Sequence, residues 1–349
     1  MKIRTLPVYS KLAKLDDVPP EVVAQQPEGW RLSQHQVETY KALTQGDADV
    51  IFNTAMTGDG KSLAGQLSML VHGGKSGSLM AMYPTNELIE DQKGQLAGSK
   101  RSWQAGVQFD LLNSAALDEI MAEDIYSQRG DALLDTLRNH DVVLTNPDVF
   151  HLMLHQFYVR RGKQGDAPDK VFGPLLQRFS QFTFDEFHIF ETAQVVSVLN
   201  ALLLIHETQS LSRRHKFLFL SATPGEVMND YLDRSGLQVQ PITGCYAHSE
   251  AILPSDSWRR ILHGATTHIE SGRVEAWVEE HLEDTLLPFF EARGPHAKGA
   301  IIVNSVAAAY RLLARLQPAF AAHGLTVEPN TGLTSRARRK VSYVADLLI

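Results

Sequence analysis

Ala55-Met56-Thr57-Gly58-Asp59-Gly60-Lys61-Ser62 is the stretch whose reading decides the fold. It follows Asp49-Val50-Ile51-Phe52-Asn53, an apolar run with strand character, and precedes Leu63, Gln66, Leu67 and Leu70, which recur at helical spacing. A strand, a glycine-rich loop and a helix in that order make a phosphate-binding loop. Gly58 and Gly60 let the backbone curl around a triphosphate, so that loop N–H groups and the positive end of the helix meet the anionic oxygens. Lys61 adds a mobile charge for the β- and γ-phosphates, and the Ser62 hydroxyl can hold Mg²⁺. Ala55 stands where the general G-x-x-x-x-G-K-[ST] pattern has its first glycine. Alone, the loop would also read as a glycine turn with a surface lysine.

A second apolar strand, Gln181-Phe182-Thr183-Phe184, delivers the adjacent carboxylates Asp185 and Glu186. In an open parallel sheet the C-terminal strand edge is where ligands bind. Asp185 there can hold the metal through water, and Glu186 can orient and deprotonate an attacking water.

The 349 residues suffice for two or three domains, and 44% hydrophobic content indicates a folded chain. A single cysteine, Cys245, excludes an intrachain disulfide and fits a reducing, cytoplasmic setting. No segment has the apolar length of a membrane span. Net charge of −7 argues against an unspecific basic nucleic-acid binder, but not against a local positive groove. Arg336, Arg338, Arg339 and Lys340 form such a run, or else the solvated face of a short helix.

Apolar strands alternate with amphipathic stretches from about residue 30 to 240, the pattern of an α/β fold with a parallel sheet covered on both faces. Strands are expected at 48–53, 78–83, 107–112, 141–145, 181–185, 215–220 and 238–242. Helices are expected near 35–45, 61–71, 86–96, 115–137, 147–158, 193–207 and 226–235, with a loop from Arg160 to Pro168. The domain reading is 1–245, a polar junction at 246–272, and a second domain at 273–349. After a polar stretch from Cys245 to Ser257, a strand over Arg259–Ile269 leads to a helix over Arg273–Glu291, a strand from Gly299 to Val303 and a helix from Ser305 to about Ala322. A strand at Leu325–Glu328, a helix over Ser335–Tyr343 and a strand at Ala345–Ile349 follow. Because the text stops in an apolar strand, the second domain is expected to be incomplete at its C-terminus.

Further segments resemble, in order and spacing, the motifs of superfamily 2 DEAD/DEAH-like helicases, which consist of two RecA-like parallel-sheet domains. Leu32-Ser33-Gln34-His35-Gln36-Val37-Glu38 resembles the Q motif, which implies that Gln36 reads adenine. Tyr83-Pro84-Thr85-Asn86 resembles motif Ia and Thr145-Asn146-Pro147-Asp148 motif Ib, implying contacts to strand phosphates through small polar side chains and loop N–H groups. Asp185-Glu186-Phe187-His188 is then motif II, with His188 linking the γ-phosphate region to the second domain. Ser221-Ala222-Thr223 resembles motif III, which couples hydrolysis to strand movement. Ile301-Ile302-Val303-Asn304-Ser305 looks like motif IV, and Thr331-Gly332-Leu333-Thr334-Ser335 like the loop after it, with motif V beginning at the terminal strand. Motif VI, which supplies arginine fingers worth about 10³ to 10⁵ in rate in related hydrolases, has no counterpart, so the resemblance implies a chain that binds nucleotide better than it turns it over.

The Thr57–Ser62 loop and the Asp185–His188 box most closely resemble the DNA helicase of type I CRISPR interference, subtype I-D. That family unwinds target DNA after recruitment by an RNA-guided surveillance complex. Only about 30 residues precede the Q motif, too few for a fused HD nuclease, which implies a separate nuclease subunit. The implied function is ATP- and Mg²⁺-dependent tracking on single-stranded DNA; a nucleotide-binding docking module without unwinding and an RNA helicase are the alternatives.

Other patterns compete. His140-Asp141 spells an HD dipeptide but lacks further ligands in matching order, and His151 and His155 share a helical face without the intervening glutamate of a zinc protease. Trp30 reads equally as a neighbour of adenine or as core.

Overall fold

Phe182, Phe184, Phe217 and Phe219 are fully buried and stack across neighbouring strands, with ring centroids 5.7 Å apart for Phe182–Phe217 and 4.7 Å for Phe184–Phe219. Strands buried on both faces read as continuous apolar runs, and here they build a parallel sheet. The computed structural model describes residues 1–123, 126, 129–154, 171–208, 214–221, 231–232, 234–294, 297–331 and 344–349.

The chain opens with β1 (Lys2–Arg4) and β2 (Val8–Lys11). The main strands follow: β3 (Val50–Asn53), β4 (Ser78–Met82), β5 (Phe109–Leu112), β6 (Val142–Thr145), β7 (Phe179–Asp185), β8 (Lys216–Leu220) and β9 (Val239–Ile242). They form one seven-stranded sheet in the order β5-β6-β4-β7-β8-β3-β9, every neighbouring pair parallel. Alternate side chains pack on opposite layers: Leu79 and Ala81 face the helices Gln34–Thr44, Lys61–His72 and Asn86–Ser102, while Met80 and Met82 face Arg129–Asn139, Pro147–Leu154 and Thr192–Thr208. This is the doubly covered α/β sheet expected, with strand boundaries shifted by no more than two residues.

Two compact units emerge, Arg4–Ala265 and Thr266–Ile349 with Met1–Ile3. The first therefore extends past the residue-245 limit expected from sequence. The stretch 246–272, read as a junction, carries β10 (Tyr246–His248), β11 (Trp258–Leu262) and β12 (Thr266–His268). β2 lies between β10 and β11 in a three-stranded antiparallel sheet, and β12 pairs with β1. The polar look of this stretch reflects short strands that are partly or wholly exposed, not absence of structure.

In the second unit β13 (Gly299–Ala300), β14 (Val327–Glu328) and β15 (Leu347–Leu348) form a parallel sheet with β15 in the middle. Leu312, Leu316 and Phe320 of the helix Val306–Ala322 pack with Phe290, Val327 and Leu347. The strand expected from Gly299 to Val303 stops at Ala300, and Ile302 is exposed.

Two expected helices are divided. The segment 115–137 holds Ser114–Ala122 and Arg129–Asn139, the first capped by Asn113, whose side chain accepts from Ala116 N at 2.8 Å. The segment 273–291 holds Val274–Glu280, a wider turn at Leu282–Leu286 and Leu287–Arg293. Arg160–Pro168, most of the expected helix near 226–235, the helix over Ser335–Tyr343 and the basic run 336–340 lie outside the described residues.

Candidate nucleotide-binding site

β3 and β7 lie two places apart in the sheet with β8 between them, so their C-terminal ends open on one edge. The loop 55–62 leaves β3 there, and Asp185 and Glu186 end β7. Gly58 and Gly60 have φ of +88° and +78°, left-handed values that a side chain resists. A Cβ on Gly60 would also meet Gln36 Nε2 at 2.6 Å. The loop is thus a cradle that only these glycines allow.

Lys61 begins the helix Lys61–His72 and is 5% exposed, its Nζ donating to Ala55 O at 2.9 Å across the loop. Ser62 Oγ donates to Asp185 Oδ2 at 2.6 Å. Asp185 Oδ1 accepts from the main-chain N–H of Glu186 at 2.9 Å. Burial, and after it the neighbouring Glu186 carboxylate, raise the Asp185 carboxyl to about 6 against the hydrogen bond from Ser62. A buried carboxylate beside a second carboxylate and a hydroxyl is a hard-oxygen set that suits Mg²⁺.

Glu186 has φ of +49°, one of two non-glycine residues with positive φ among the described residues. Such backbone is costly and accumulates at functional sites. It turns the side chain so that Oε2 lies 3.4 Å from His188 Nδ1, which is also 3.3 Å from Ser221 Oγ. Ser221, at the end of β8, donates its N–H to Asn53 O. Motif-like segments II and III therefore meet beside the loop; Ala222 and Thr223 lie outside the described residues.

Gln36 is placed differently from what the resemblance implied. Its amide is 1% exposed, with Oε1 accepting from Ser33 N at 2.9 Å and Nε2 donating to Gly60 O at 3.0 Å. Both ends of the amide bond to the chain, so in this structure Gln36 braces the loop.

At the same sheet edge Thr85 caps the helix Asn86–Ser102, and Asn146 Nδ2 donates to Asn86 Oδ1 at 3.2 Å. Thr85 and Asn86 are exposed and Pro84 half-buried, so these residues remain open to a ligand. Thr145 does not: it is fully buried, and its hydroxyl donates to Leu112 O at 2.6 Å. Asn304 and Ser305 are exposed in the second unit, where Ser305 accepts from Ala308 N at the start of Val306–Ala322.

Several residues at the loop went unnoticed in the sequence. Ser10, Ser33, His35, Tyr246 and Arg259 all reach the side chain of Asp59. Only Ser33 and His35 sat in a quoted motif. The HD dipeptide is structural, Asp141 accepting from Gln108 N and pairing with Arg178. His151 bonds Ser197 Oγ, and His155 lies outside the described residues. No cluster of three or more His, Cys, Asp or Glu able to hold a metal occurs among the described residues, and no helix among them is long and apolar enough to cross a membrane.

Among solved structures, the fold is similar to the DUF1998 helicase MrfA bound to DNA, at a TM-score of 0.66 and 14% identity over 100% of this chain and 46% of that one. It is also similar to the Mycobacterium smegmatis helicase Lhr bound to ssDNA and AMP-PNP (TM-score 0.58, 17% identity, 90% of this chain, 39% of that one). The DEAD-box helicase Mss116 bound to ssRNA and UDP-BeF gives a TM-score of 0.60 at 12% identity, over 96% of this chain and 64% of that one. Identities this low establish the fold, a RecA-like α/β arrangement, and the chain spans about half the length of MrfA. No curated protein sequence matches the chain. The sequence profile of the DEAD/DEAH box helicases matches residues 33–231, more than half of the 349 residues and the whole span from the Q-motif-like segment past Ser221. The chain belongs to the DEAD/DEAH box helicase family.

Proposed function

We propose that this chain binds Mg–ATP in the loop 55–62 and couples hydrolysis to movement along single-stranded DNA. The observation that carries the reading is the 2.6 Å contact of Ser62 Oγ with Asp185 Oδ2 at the open sheet edge. The backbone N–H groups of Thr57, Gly58 and Gly60 face the phosphates, Asp59 N–H closing the turn on Met56 O, and Lys61 Nζ exchanges Ala55 O for phosphate oxygen. Ser62 and Asp185 hold the metal. A bound Mg²⁺ supplies neutralisation of charge on the phosphoryl oxygens. Glu186, held in left-handed backbone, accepts the proton of the attacking water. His188 and Ser221 relay the state of that carboxylate to the neighbouring strand end. Pro84, Thr85, Asn86 and Asn146 grip the nucleic-acid backbone in the first unit, and Asn304 and Ser305 in the second.

ATPase assays with single-stranded DNA and RNA test the substrate. Stimulation by DNA above RNA supports the reading, and the reverse favours an RNA helicase. Strand displacement tests the motor: nucleotide binding without displacement favours a docking module. The finer assignment, to CRISPR interference with an RNA-guided surveillance complex and a separate HD nuclease subunit, rests on the wording of Thr57–Ser62 and Asp185–His188 alone.

A further inference from the structure

Asp59 is fully buried although its neighbours Gly58 and Gly60 are exposed, so the loop turns this one carboxylate inward. A charge in such a place persists only when paired and hydrogen-bonded. Both oxygens are occupied. Oδ1 accepts from Ser33 Oγ at 3.0 Å and Arg259 Nη2 at 3.0 Å; Oδ2 accepts from Ser10 Oγ at 2.6 Å and Tyr246 Oη at 3.1 Å and lies 3.1 Å from His35 Nε2. These partners come from β2, β10, β11 and the start of the helix Gln34–Thr44.

The arrangement acts on the loop at two points. Tyr246 Oη accepts from Met56 N at 2.7 Å while donating to Asp59, so one hydroxyl ties residue 56 to residue 59 across the turn. Arg259 Nη2 lies 3.4 Å from Asp59 O as well, holding main chain and side chain together. His35 is oriented from the strand side. Asn53 Oδ1 accepts from Ala55 N, which turns Asn53 Nδ2 toward His35 Nδ1 at 3.0 Å. That ring nitrogen is then the acceptor, and Nε2 carries the proton that faces Asp59.

We propose that Asp59 is a positioning residue for the nucleotide and that the small antiparallel sheet, through Arg259 and Tyr246, is a working part of the site. The pair Asp59–Arg259 joins residues 200 apart in the chain. It sets the shape of the loop whose N–H groups meet phosphate. The proposal rests on the nucleotide reading above. Loss of the anchor weakens nucleotide binding and raises KM while the kcat of the filled site is retained, which separates positioning from catalysis.

The test measures the Kd for a fluorescent ATP analogue with Mg²⁺ on the full chain and its Tyr246→Phe, Arg259→Lys and Arg259→Gln variants, together with the unfolding midpoint without nucleotide. Tyr246→Phe deletes one hydroxyl and is expected to weaken binding at least tenfold with little change in midpoint. Arg259→Lys recovers part of what Arg259→Gln loses, and Tyr246→Phe with Arg259→Gln costs less than the sum of the two, since both act through one carboxylate. Folded variants that bind as tightly as the parent overturn the proposal and leave the nucleotide reading intact. A parent that binds no nucleotide overturns the reading itself and the proposal with it. If Arg259→Gln does not fold, Tyr246→Phe decides alone.

Discussion

Ser62 Oγ lies 2.6 Å from Asp185 Oδ2, a contact between positions 123 residues apart. The sheet order makes it: β7 and β3 flank β8, all parallel, so the loop after β3 and the carboxylates after β7 share one edge. Lys61 reaches into the same space but carries its own charge. The two therefore separate by metal dependence. Lys61→Ala is expected to weaken ATP binding at least tenfold, about 1.4 kcal/mol, in Mg²⁺ and in EDTA alike, whereas Asp185→Asn weakens it only in Mg²⁺. Calorimetric titrations in the two buffers check this.

Gln36 is buried with both ends of its amide bonded to the chain. Gln36→Ala is expected to lower the affinities for ATP and GTP together, leaving their ratio within about twofold, because it loosens Gly60 without removing a base contact. Competition of each nucleotide against a fluorescent analogue measures the ratio. A selective loss of ATP binding would assign Gln36 to adenine.

Asp59 predicts an acid limb in stability. Burial raises its carboxyl, but hydrogen bonds from His35, Ser10 and Ser33 outweigh that and bring it down to about 2, with Tyr246 and Arg259 also facing it. A folded value below the ordinary 3.8 means that stability is fully present above pH about 4 and is lost as pH falls toward 2. Urea unfolding across that window should fall steeply for the parent and more shallowly for Asp59→Asn.

Phe182 is fully buried between Phe150 and Phe217, with ring centroids 6.0 Å and 5.7 Å away. Phe182→Ala is expected to cost about 3 to 5 kcal/mol of unfolding free energy, from lost burial and the cavity left behind. Denaturant titration at constant m-value measures it.

The sequence made the seven-stranded sheet legible because strands such as Val142–Thr145 and Lys216–Leu220 are buried on both faces and stand between helical repeats. Glycines and charged residues at the edge, Gly58, Gly60, Lys61, Asp185 and Glu186, announced the loop chemistry directly. Of the second sheet, the sequence showed a strand over Arg259–Ile269, divided in the structure into Trp258–Leu262 and Thr266–His268, but not the strands it pairs with. Trp258–Leu262 and Tyr246–His248 are short and partly exposed, with no clear alternation, and their partner Val8–Lys11 lies more than 200 residues away. Nothing local marks Arg259 or Tyr246 as neighbours of Asp59. For Gln36 the motif fixes identity and position, whereas only the structure shows that Gly60 O takes its amide. The inward turn of Thr145 was not legible either, because its side chain, last on the strand Val142–Thr145, faces Leu112 O.

The most direct test of the central claim is a double-mutant cycle on Ser62→Ala and Asp185→Asn, read as Mg²⁺-dependent ATP affinity of the full chain. If both residues hold one metal ion, either substitution alone removes the Mg²⁺-dependent gain and the double variant loses nothing more. Independent, additive losses, or ATP affinity unaffected by either change, would contradict the account.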